Sequence, residues 1–151
     1  MSEYKKQLDQ VWQSLKEEEC LVLATSVNDM PTARTINVIY HNKRIYFQTD
    51  SRMKKADDIR TNDHVALSIG KYQIQGTCRE LGHPLEDKNK WFAIMYKKAF
   101  PSAFAKYSGL PNEQVYEVIP TVIKVWHYHN SIASVTSFIL EKKLLDVHLY
   151  R

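Results

Sequence analysis

Arg34 lies in the middle of a segment whose residue pattern is typical of a β-strand. Side chains alternate between the two faces of a strand, so one face carries Thr32, Arg34, Ile36, Val38 and Tyr40, and the other carries Ala33, Thr35, Asn37 and Ile39. Burying a guanidinium without an anionic partner costs several kcal/mol. On this residue alone, an arginine on a half-exposed strand is the simpler interpretation.

A second group of residues changes that interpretation. The segment QTDSRMKKADDI begins where a predicted strand passes into a predicted helix, and it carries the hydroxyls of Thr49 and Ser51 followed by Arg52, Lys54 and Lys55. A helix N-terminus presents free N–H groups and a partial positive charge, both of which favour a bound phosphate. Lysines supply point charges, and an arginine can supply a bidentate fork. Together with the mid-strand arginine, this segment predicts an anion site.

The elements that must position these residues are read from the first half of the chain. Leu8, Val11, Trp12 and Leu15 recur at helical spacing, which predicts an amphipathic helix over about residues 3–19. Turn residues at 28–31 and 41–42 separate three predicted strands, at 20–27, 32–40 and 44–49. Asp50 or Ser51 is expected to cap a short helix that runs to about residue 60, with Ala56 and Ile59 facing inward.

The second half of the chain continues the alternation of strands and helices. Strands are predicted at 64–70 and 72–81, a helix at about 86–99, a helical turn with a loop at 102–114, and two final strands at 115–120 and 121–129, with Pro120 at a bend or edge position. The tail after residue 130 fits a hairpin or a helix. Short strands interrupted by two helices predict a mainly β, α+β fold, namely an antiparallel barrel or Greek-key sheet with peripheral helices.

Composition bounds the class of protein. The chain has 151 residues, 44% hydrophobic and 25% charged, and a net charge of +4, as expected for one folded domain over residues 1–151 with mild affinity for anions. Its four glycines cannot form a G-x-G-x-x-G turn or a Walker A loop. Two separated cysteines, a charged N-terminus and no long apolar segment predict a cytoplasmic protein without a membrane partner.

Histidine and acidic residues add no further chemistry. His127 and His129 share one side of a predicted strand, but the sequence places no third ligand beside them, so no metal site is predicted. Asp57 and Asp58 are typical of a solvated helix face rather than of a catalytic carboxylate pair. Cys20 and Cys78 are expected to be small core residues.

Four segments resemble one known family when they are taken in order. PTARTINVIY, IYFQTDSRMKKADDIRTNDHVALSI, YQIQGTCREL and IPTVIKVW are similar, over about residues 20–128, to the pyridoxamine 5′-phosphate oxidase-like FMN-binding split β-barrels. The resemblance implies a six-stranded antiparallel split barrel with Greek-key topology. It also implies a homodimer with FMN at the subunit interface. The predicted helical insertion at about 86–110 is expected to shape the substrate cleft, because variable insertions in such folds often do.

The resemblance also assigns roles to individual residues. It places along the flavin Arg34, Thr35, Ile36 and Asn37, with Arg34 at the phosphate or ribityl region, and it adds contacts from Gln48 and Thr49. Lys54 and Lys55 match the family's phosphate-binding pair, in agreement with the electrostatic prediction, which also includes Ser51. Lys71 stands where the vitamer oxidases carry a glutamine, and Trp126 matches a tryptophan that reaches the flavin from the partner subunit.

One departure from the family pattern bears on the substrate. The vitamer oxidases have a motif with arginine and histidine after that tryptophan, whereas Arg151 is the only arginine after Trp126 here. Pyridoxamine phosphate is therefore not the expected substrate. The leading hypothesis is an FMN-dependent oxidoreductase acting on another small molecule or on oxygen.

Three alternatives remain open. The same barrel could bind a deazaflavin (F420) or haem, or it could store or sense flavin without turnover. A small β-barrel could also bind RNA through aromatic and basic residues. The basic residues are not clustered on one strand face, however, so no nucleic-acid partner is predicted.

Overall fold

In the computed structural model, which describes residues 2–151, four helices alternate with the strands of one sheet. The strands are β1 (Cys20–Val27), β2 (Met30–Asn37), β3 (Ile39–His41), β4 (Arg44–Asp50), β5 (His64–Ile69), β6 (Tyr72–Gly82), β7 (Glu113–His129), β8 (Ile132–Ile139) and β9 (Leu144–Tyr150). The helices are α1 (Glu3–Leu15), α2 (Lys54–Thr61), α3 (Lys90–Ala99), preceded by a 3₁₀ turn at Asp87–Asn89, and α4 (Pro101–Tyr107).

Two-residue turns join three of the strand pairs. Both turn residues have positive φ at Asn28-Asp29 (52° and 61°), Asn42-Lys43 (49° and 57°) and Asn130-Ser131 (50° and 65°). Such type I′ turns match the twist of the strands they join, and asparagine tolerates the left-handed backbone region that they require. The hairpins β1–β2, β3–β4 and β7–β8 therefore follow from local sequence.

All strand pairs are antiparallel, as predicted. The strands lie in the order β2-β1-β5-β6-β7-β4-β3, and β8 and β9 continue from β7. The 17-residue strand β7 organises the sheet because its first half pairs with β4 and its second half pairs with β8. The sheet does not close into a complete barrel, in agreement with the predicted split barrel. It contains nine strands in the described region rather than the six that the resemblance implied.

Helix α1 packs its apolar stripe on the main core. Leu8, Val11, Trp12 and Leu15 are all buried there, as their spacing predicted. The helix ends at Leu15 and not at residue 19, which corrects the predicted boundary. Residues 16–19 are Lys-Glu-Glu-Glu, and this segment offers no apolar side chain to continue the stripe.

The predicted strand at 32–40 is in fact two strands. β2 ends at Asn37 and β3 begins at Ile39, while the N–H of Val38 donates to the carbonyl oxygen of Glu19 (3.0 Å). The inferred face alternation is preserved, since Ile36 and Val38 belong to the main core and Ile39 to a second apolar cluster. The segment 36–39 therefore contributes side chains to both apolar clusters.

Helices α3 and α4 cover that second cluster. Phe92 and Tyr96 of α3 pack with Ile39, Tyr46 and Val115 of the sheet. The predicted helix at 86–99 is thus confirmed as the 3₁₀ turn followed by α3, and the expected helical turn after it is α4. These two helices lie beside the ends of β2, β4 and β7 that carry the candidate site.

The tail, which the sequence left open, forms a hairpin. β8 pairs with both β7 and β9, and β9 is exposed along most of its length. Pro120 does not end a strand, since β7 passes through it, but the register with β6 shifts between Gln75 and Gly76 opposite this residue. This irregularity accommodates a proline without a ladder N–H, so the expected bend is a β-bulge.

Gly76 is required at this bulge. A Cβ at this position would overlap the carbonyl oxygen of Ile119. We expect Gly76→Ala to lower the free energy of unfolding by about 1–3 kcal/mol, the usual cost of overpacking, as measured by urea denaturation. Gly109→Ala is the matched control, since a Cβ there meets nothing within 4 Å, and we expect it to change stability by less than about 0.5 kcal/mol. Equal stability of the two variants would contradict the prediction.

No helix in residues 2–151 is both long enough and apolar enough to cross a membrane.

Candidate functional site

Arg34 is held by two hydroxyls of the β1–β2 hairpin. Its Nη1 donates to Oγ1 of Thr25 (2.9 Å) and its Nη2 donates to Oγ1 of Thr32 (2.7 Å). Burial lowers the pKa of Arg34, and the nearby Asp58 carboxylate opposes that effect. The mid-strand arginine is therefore partly buried and oriented by side chains on its own face of the sheet.

Asp58 connects this arginine to helix α2. The hydroxyls of Thr25 and Thr32 donate to Asp58 Oδ2 (2.8 and 3.3 Å), and Lys54 Nζ donates to Asp58 Oδ1 (2.9 Å). Asp58 is only 4% exposed, so its interpretation as part of a solvated helix face was wrong, although its neighbour Asp57 is exposed. The hydrogen bond from Lys54, followed by those from the two threonines, holds the pKa of Asp58 below its usual range against the effect of burial.

Helix α2 begins with its N–H groups uncapped. Its N-cap is Met53, which makes no side-chain cap bond, so the prediction that Asp50 or Ser51 caps this helix was wrong. Asp50 instead accepts two hydrogen bonds from the guanidinium of Arg52 (3.0 and 2.7 Å) and one from its backbone N–H (2.9 Å). This pairing lowers the pKa of Asp50 to about 2 and takes the Arg52 fork away from any phosphate.

Lys55 lies between groups of both signs. Burial and the positive charge of Arg34 lower the pKa of Lys55, while Glu113 and Asp50 raise it. Arg34 is thus close enough to Lys55 to repel it. Of the three cationic groups of Arg34, Lys54 and Lys55, only Lys54 is paired with a carboxylate, that of Asp58, so two positive charges have no hydrogen-bonded acid. A phosphate monoester, which carries about −1.5 to −2 near neutral pH, would neutralise these charges.

Most of the predicted site residues line one cavity of about 270 Å³. From the predictions it includes Thr35, Ile36 and Asn37 on β2, Gln48 and Thr49 on β4, and Lys55 on α2. Asn37 is fixed by the Cys20 thiol, which donates to its Oδ1 (3.2 Å). Ser51 lies outside this lining set, in the turn before α2, and its backbone N–H donates to the carbonyl oxygen of Asn112 (2.8 Å). A single cavity thus brings together two strands and the first turn of a helix.

The helical segment 86–110 contributes a wall of the same cavity. Tyr96 of α3 and Ala103 and Tyr107 of α4 line it. Burial raises the pKa of the Tyr96 phenol. Part of the segment 86–110 therefore lies beside the predicted site residues of β2 and β4.

Sequence reasoning did not identify Glu113, a buried carboxylate in the cavity. The Gln48 amide nitrogen donates to Glu113 Oε2 (2.9 Å), and the Ser108 hydroxyl donates to Gln48 Oε1 (3.0 Å). Glu113 is 4% exposed, and burial, with the nearby Asp50 charge, raises its pKa. An acidic residue at the junction of a loop and a strand gives no local signal of burial, so only the fold reveals it.

Lys71 and Trp126 lie away from this cavity. The Trp126 backbone N–H donates to the carbonyl oxygen of Lys71 (3.0 Å), and the Trp126 ring stacks on Tyr150 (centroids 5.6 Å apart, interplanar angle 24°). Lys71 borders a different cavity of about 200 Å³ together with His127, whose pKa is lowered by burial and by Lys71. Within one chain, Lys71 and Trp126 therefore lie apart from the other predicted site residues.

Comparison with known proteins places this geometry in a group of related folds. PhzG from Burkholderia lata 383, solved in complex with tetrahydrophenazine-1-carboxylic acid, is 16% identical with a TM-score of 0.67, over 100% of this chain and 93% of that chain. An FMN-binding, pyridoxamine 5′-phosphate oxidase-related protein from Nostoc punctiforme PCC 73102 is 13% identical with a TM-score of 0.65, over 100% and 98%. HutZ, the haem storage protein of Vibrio cholerae, is 11% identical with a TM-score of 0.64, over 75% and 89%.

These likenesses show that the fold is the split barrel of that group. The sequence matches the family description "Pyridoxamine 5′-phosphate oxidase" over residues 7–127, which is most of the chain. The protein therefore belongs to the pyridoxamine 5′-phosphate oxidase family. No curated protein sequence matches the chain significantly.

Proposed function

We propose that this protein binds FMN in the cavity between β2, β4 and α2 and acts as a flavin-dependent oxidoreductase. The observation that carries the proposal is the convergence of Arg34, Lys54 and Lys55 around an uncapped helix start, beside a cavity lined by β2 and β4. The net positive charge of this group matches one phosphate monoester, and a helix N-terminus favours the same ligand. Family membership supports this choice of ligand.

The cavity and the start of α2 offer groups that suit the phosphate, the ribityl chain and the polar ring edge of FMN. Lys55, the Arg34 guanidinium and the first N–H groups of α2 would hold the phosphate. Thr35, Asn37, Gln48 and Thr49 line the cavity with hydrogen-bonding groups that suit a ribityl chain and the polar edge of a flavin. When bound, FMN supplies the transfer of electrons or hydride to a small organic acceptor or to oxygen, while the protein binds and orients both molecules.

We propose that the functional unit is a homodimer with a cofactor at each interface. Trp126 and Lys71 lie away from the cavity of their own chain, so a partner subunit must supply them if they contact the flavin. Half-exposed large side chains on strand β9, among them Val147 and Tyr150, leave an apolar surface for such an interface.

Haem and F420 are the alternative cofactors. Similarity to a haem storage protein keeps haem in consideration. Haem iron takes a histidine, cysteine, methionine or tyrosine ligand, and tyrosines of the described chain line this cavity although no histidine does. The cationic groups of Arg34, Lys54 and Lys55 beside it suit a phosphate, which haem lacks. The cavity therefore favours a flavin.

The visible absorption spectrum of the freshly purified protein tests the cofactor. We expect the two visible bands of oxidised flavin, and release of FMN rather than FAD on denaturation, because the charge of the site matches a single phosphate monoester. A Soret band would show haem, a deazaflavin spectrum would show F420, and either result would contradict the proposal. Reoxidation of the reduced protein by candidate acceptors, compared with free reduced FMN, separates an oxidoreductase from a protein that only stores or senses flavin.

A further inference from the structure

The carboxylate of Glu113 lines the candidate cofactor cavity with one oxygen unused. Glu113 is the first residue of β7 and faces Asp50 across the β4–β7 ladder. Its Oε2 accepts from the Gln48 amide (2.9 Å), while no side chain among residues 2–151 donates to its Oε1. The residue is 96% buried, being 4% exposed, and no cationic side chain of the described residues pairs with it. A buried acid without a cation is costly to keep ionised.

A chain of hydrogen bonds fixes the direction of this carboxylate. Ser108, which is fully buried, donates to the Gln48 carbonyl oxygen (3.0 Å), so the amide nitrogen of Gln48 faces Glu113. The hydrogen bond then occupies Oε2 and leaves Oε1 for another donor. The acid is thus oriented from two other elements, the loop after α4 and strand β4.

The surroundings of Glu113 favour a cationic donor. Burial and the charge of Asp50 raise the pKa of Glu113, while the Gln48 hydrogen bond and the charges of His83 and Lys55 lower it. Arg52 already neutralises Asp50, and a bound phosphate would engage Lys55. Neither Arg52 nor Lys55 is then left to compensate Glu113, and a cationic ligand in the cavity can do so. Tyr96 and Tyr107 line the same cavity, and phenol rings attract planar cations.

We propose that Glu113 binds a positively charged, planar N–H group of the molecule that reacts at this cavity. The chemical class is an amidinium or a guanidinium, recognised by the free carboxylate oxygen and flanked by Tyr96 and Tyr107. The identification of this molecule as the second substrate rests on the proposed flavin site. The cation subsite itself rests only on the geometry of Glu113.

Benzamidinium and benzamide test the subsite because they have nearly the same shape and differ in charge. Binding of each to the protein as purified is measured by isothermal titration calorimetry. We expect benzamidinium to bind at least about tenfold more tightly than benzamide, a factor within the range for one charge-assisted hydrogen bond. Glu113→Gln keeps an acceptor for the Gln48 amide and removes only the charge, so the ratio of the two affinities should fall to near one. Glu141→Gln, in the exposed turn between β8 and β9, should leave the ratio unchanged.

Each outcome decides the proposal. Equal binding of the two probes by the parent protein, or an unchanged ratio in Glu113→Gln, would overturn it. Loss of flavin from Glu113→Gln with an unchanged ratio would show that Glu113 serves the cofactor, and would also overturn it. A parent protein that contains no flavin but prefers benzamidinium, with that preference lost in Glu113→Gln, would contradict the proposed function and support the cation subsite.

Discussion

Replacing Lys54 and Lys55 together by alanine should raise the Kd for FMN by about a hundredfold or more, because each charge-assisted contact to a phosphate contributes about 1.5–3 kcal/mol. Riboflavin lacks the phosphate, so its affinity should change little in the same variant. The measurement is titration of the flavin-free protein with FMN and with riboflavin, followed by flavin fluorescence. The loss of affinity should shrink at high salt, which screens exposed lysines.

A matched control is available on helix α1. Lys5 and Lys6 are also adjacent and exposed, so Lys5→Ala with Lys6→Ala removes the same charge far from α2 in the sequence. That variant should bind FMN like the parent. Equal FMN occupancy in the Lys54/Lys55 variant and in the parent would refute the phosphate anchor.

The structure also indicates which of the two lysines contributes more to the affinity for FMN. Lys54 already pairs with Asp58 and its side chain is 65% exposed, so part of its charge is compensated before any ligand arrives. Lys55 is half-buried, is repelled by Arg34 and contacts only the sulfur of Met53 within hydrogen-bonding distance (3.4 Å) in the described chain. A bound anion relieves that repulsion. Lys55→Ala should therefore account for most of the effect of the double variant.

Local chemistry predicted those parts of the fold that a short segment decides. Asn-Asp and Asn-Lys pairs can adopt the positive φ that hairpin turns need, so the strand order along the chain could be read before the structure. The inward residues of α1 and α2 followed from helical spacing. The antiparallel class followed from many short strands without regular crossover helices.

Competition between equally good local partners caused the errors. Asp50 could cap α2 or pair with Arg52, and it pairs with Arg52 because the guanidinium of that residue offers two charged donors and its backbone N–H offers a third. Asp58 carries the same charge as its exposed neighbour Asp57, and only the approach of the β1–β2 hairpin buries it. The tail shows no clear alternation because β9 is exposed along most of its length.

Contacts between segments far apart in the sequence could not be predicted. Glu113, Gln48 and Ser108 are separated by up to 65 residues, and no spacing rule links them. Arg34 and the lysine pair could be joined in advance only because both types attract phosphate. The cavity that Lys55 shares with Tyr96 and Tyr107 depends on how α3 and α4 pack on the sheet.

Replacing Asp58 tests the hydrogen bonds that orient Arg34. Its neighbour Asp57 provides a control of identical charge. The two threonine hydroxyls donate to Asp58, which leaves their lone pairs to accept from Arg34. Asp58→Asn removes the anion that orients both hydroxyls, so we expect the free energy of unfolding at neutral pH to fall by about 1.5–3 kcal/mol, the value of a charged hydrogen bond. Asp57→Asn loses only an exposed pair with Arg60 and should change stability by less than about 1 kcal/mol.

The dependence of stability on pH gives this prediction a second readout. The folded protein holds the pKa of Asp58 below its unfolded value, chiefly through the Lys54 hydrogen bond. The resulting stabilisation is fully present above the unfolded pKa of about 3.9 and is lost as the pH falls through the lower folded value. Asp58→Asn should therefore reduce the loss of stability measured by urea unfolding below about pH 5, whereas Asp57→Asn should not. If both variants keep the parent's acid dependence, the pKa of Asp58 is the same in the folded and the unfolded protein, and the hydrogen bonds from Lys54 and the two threonines then give its charge no net stabilisation.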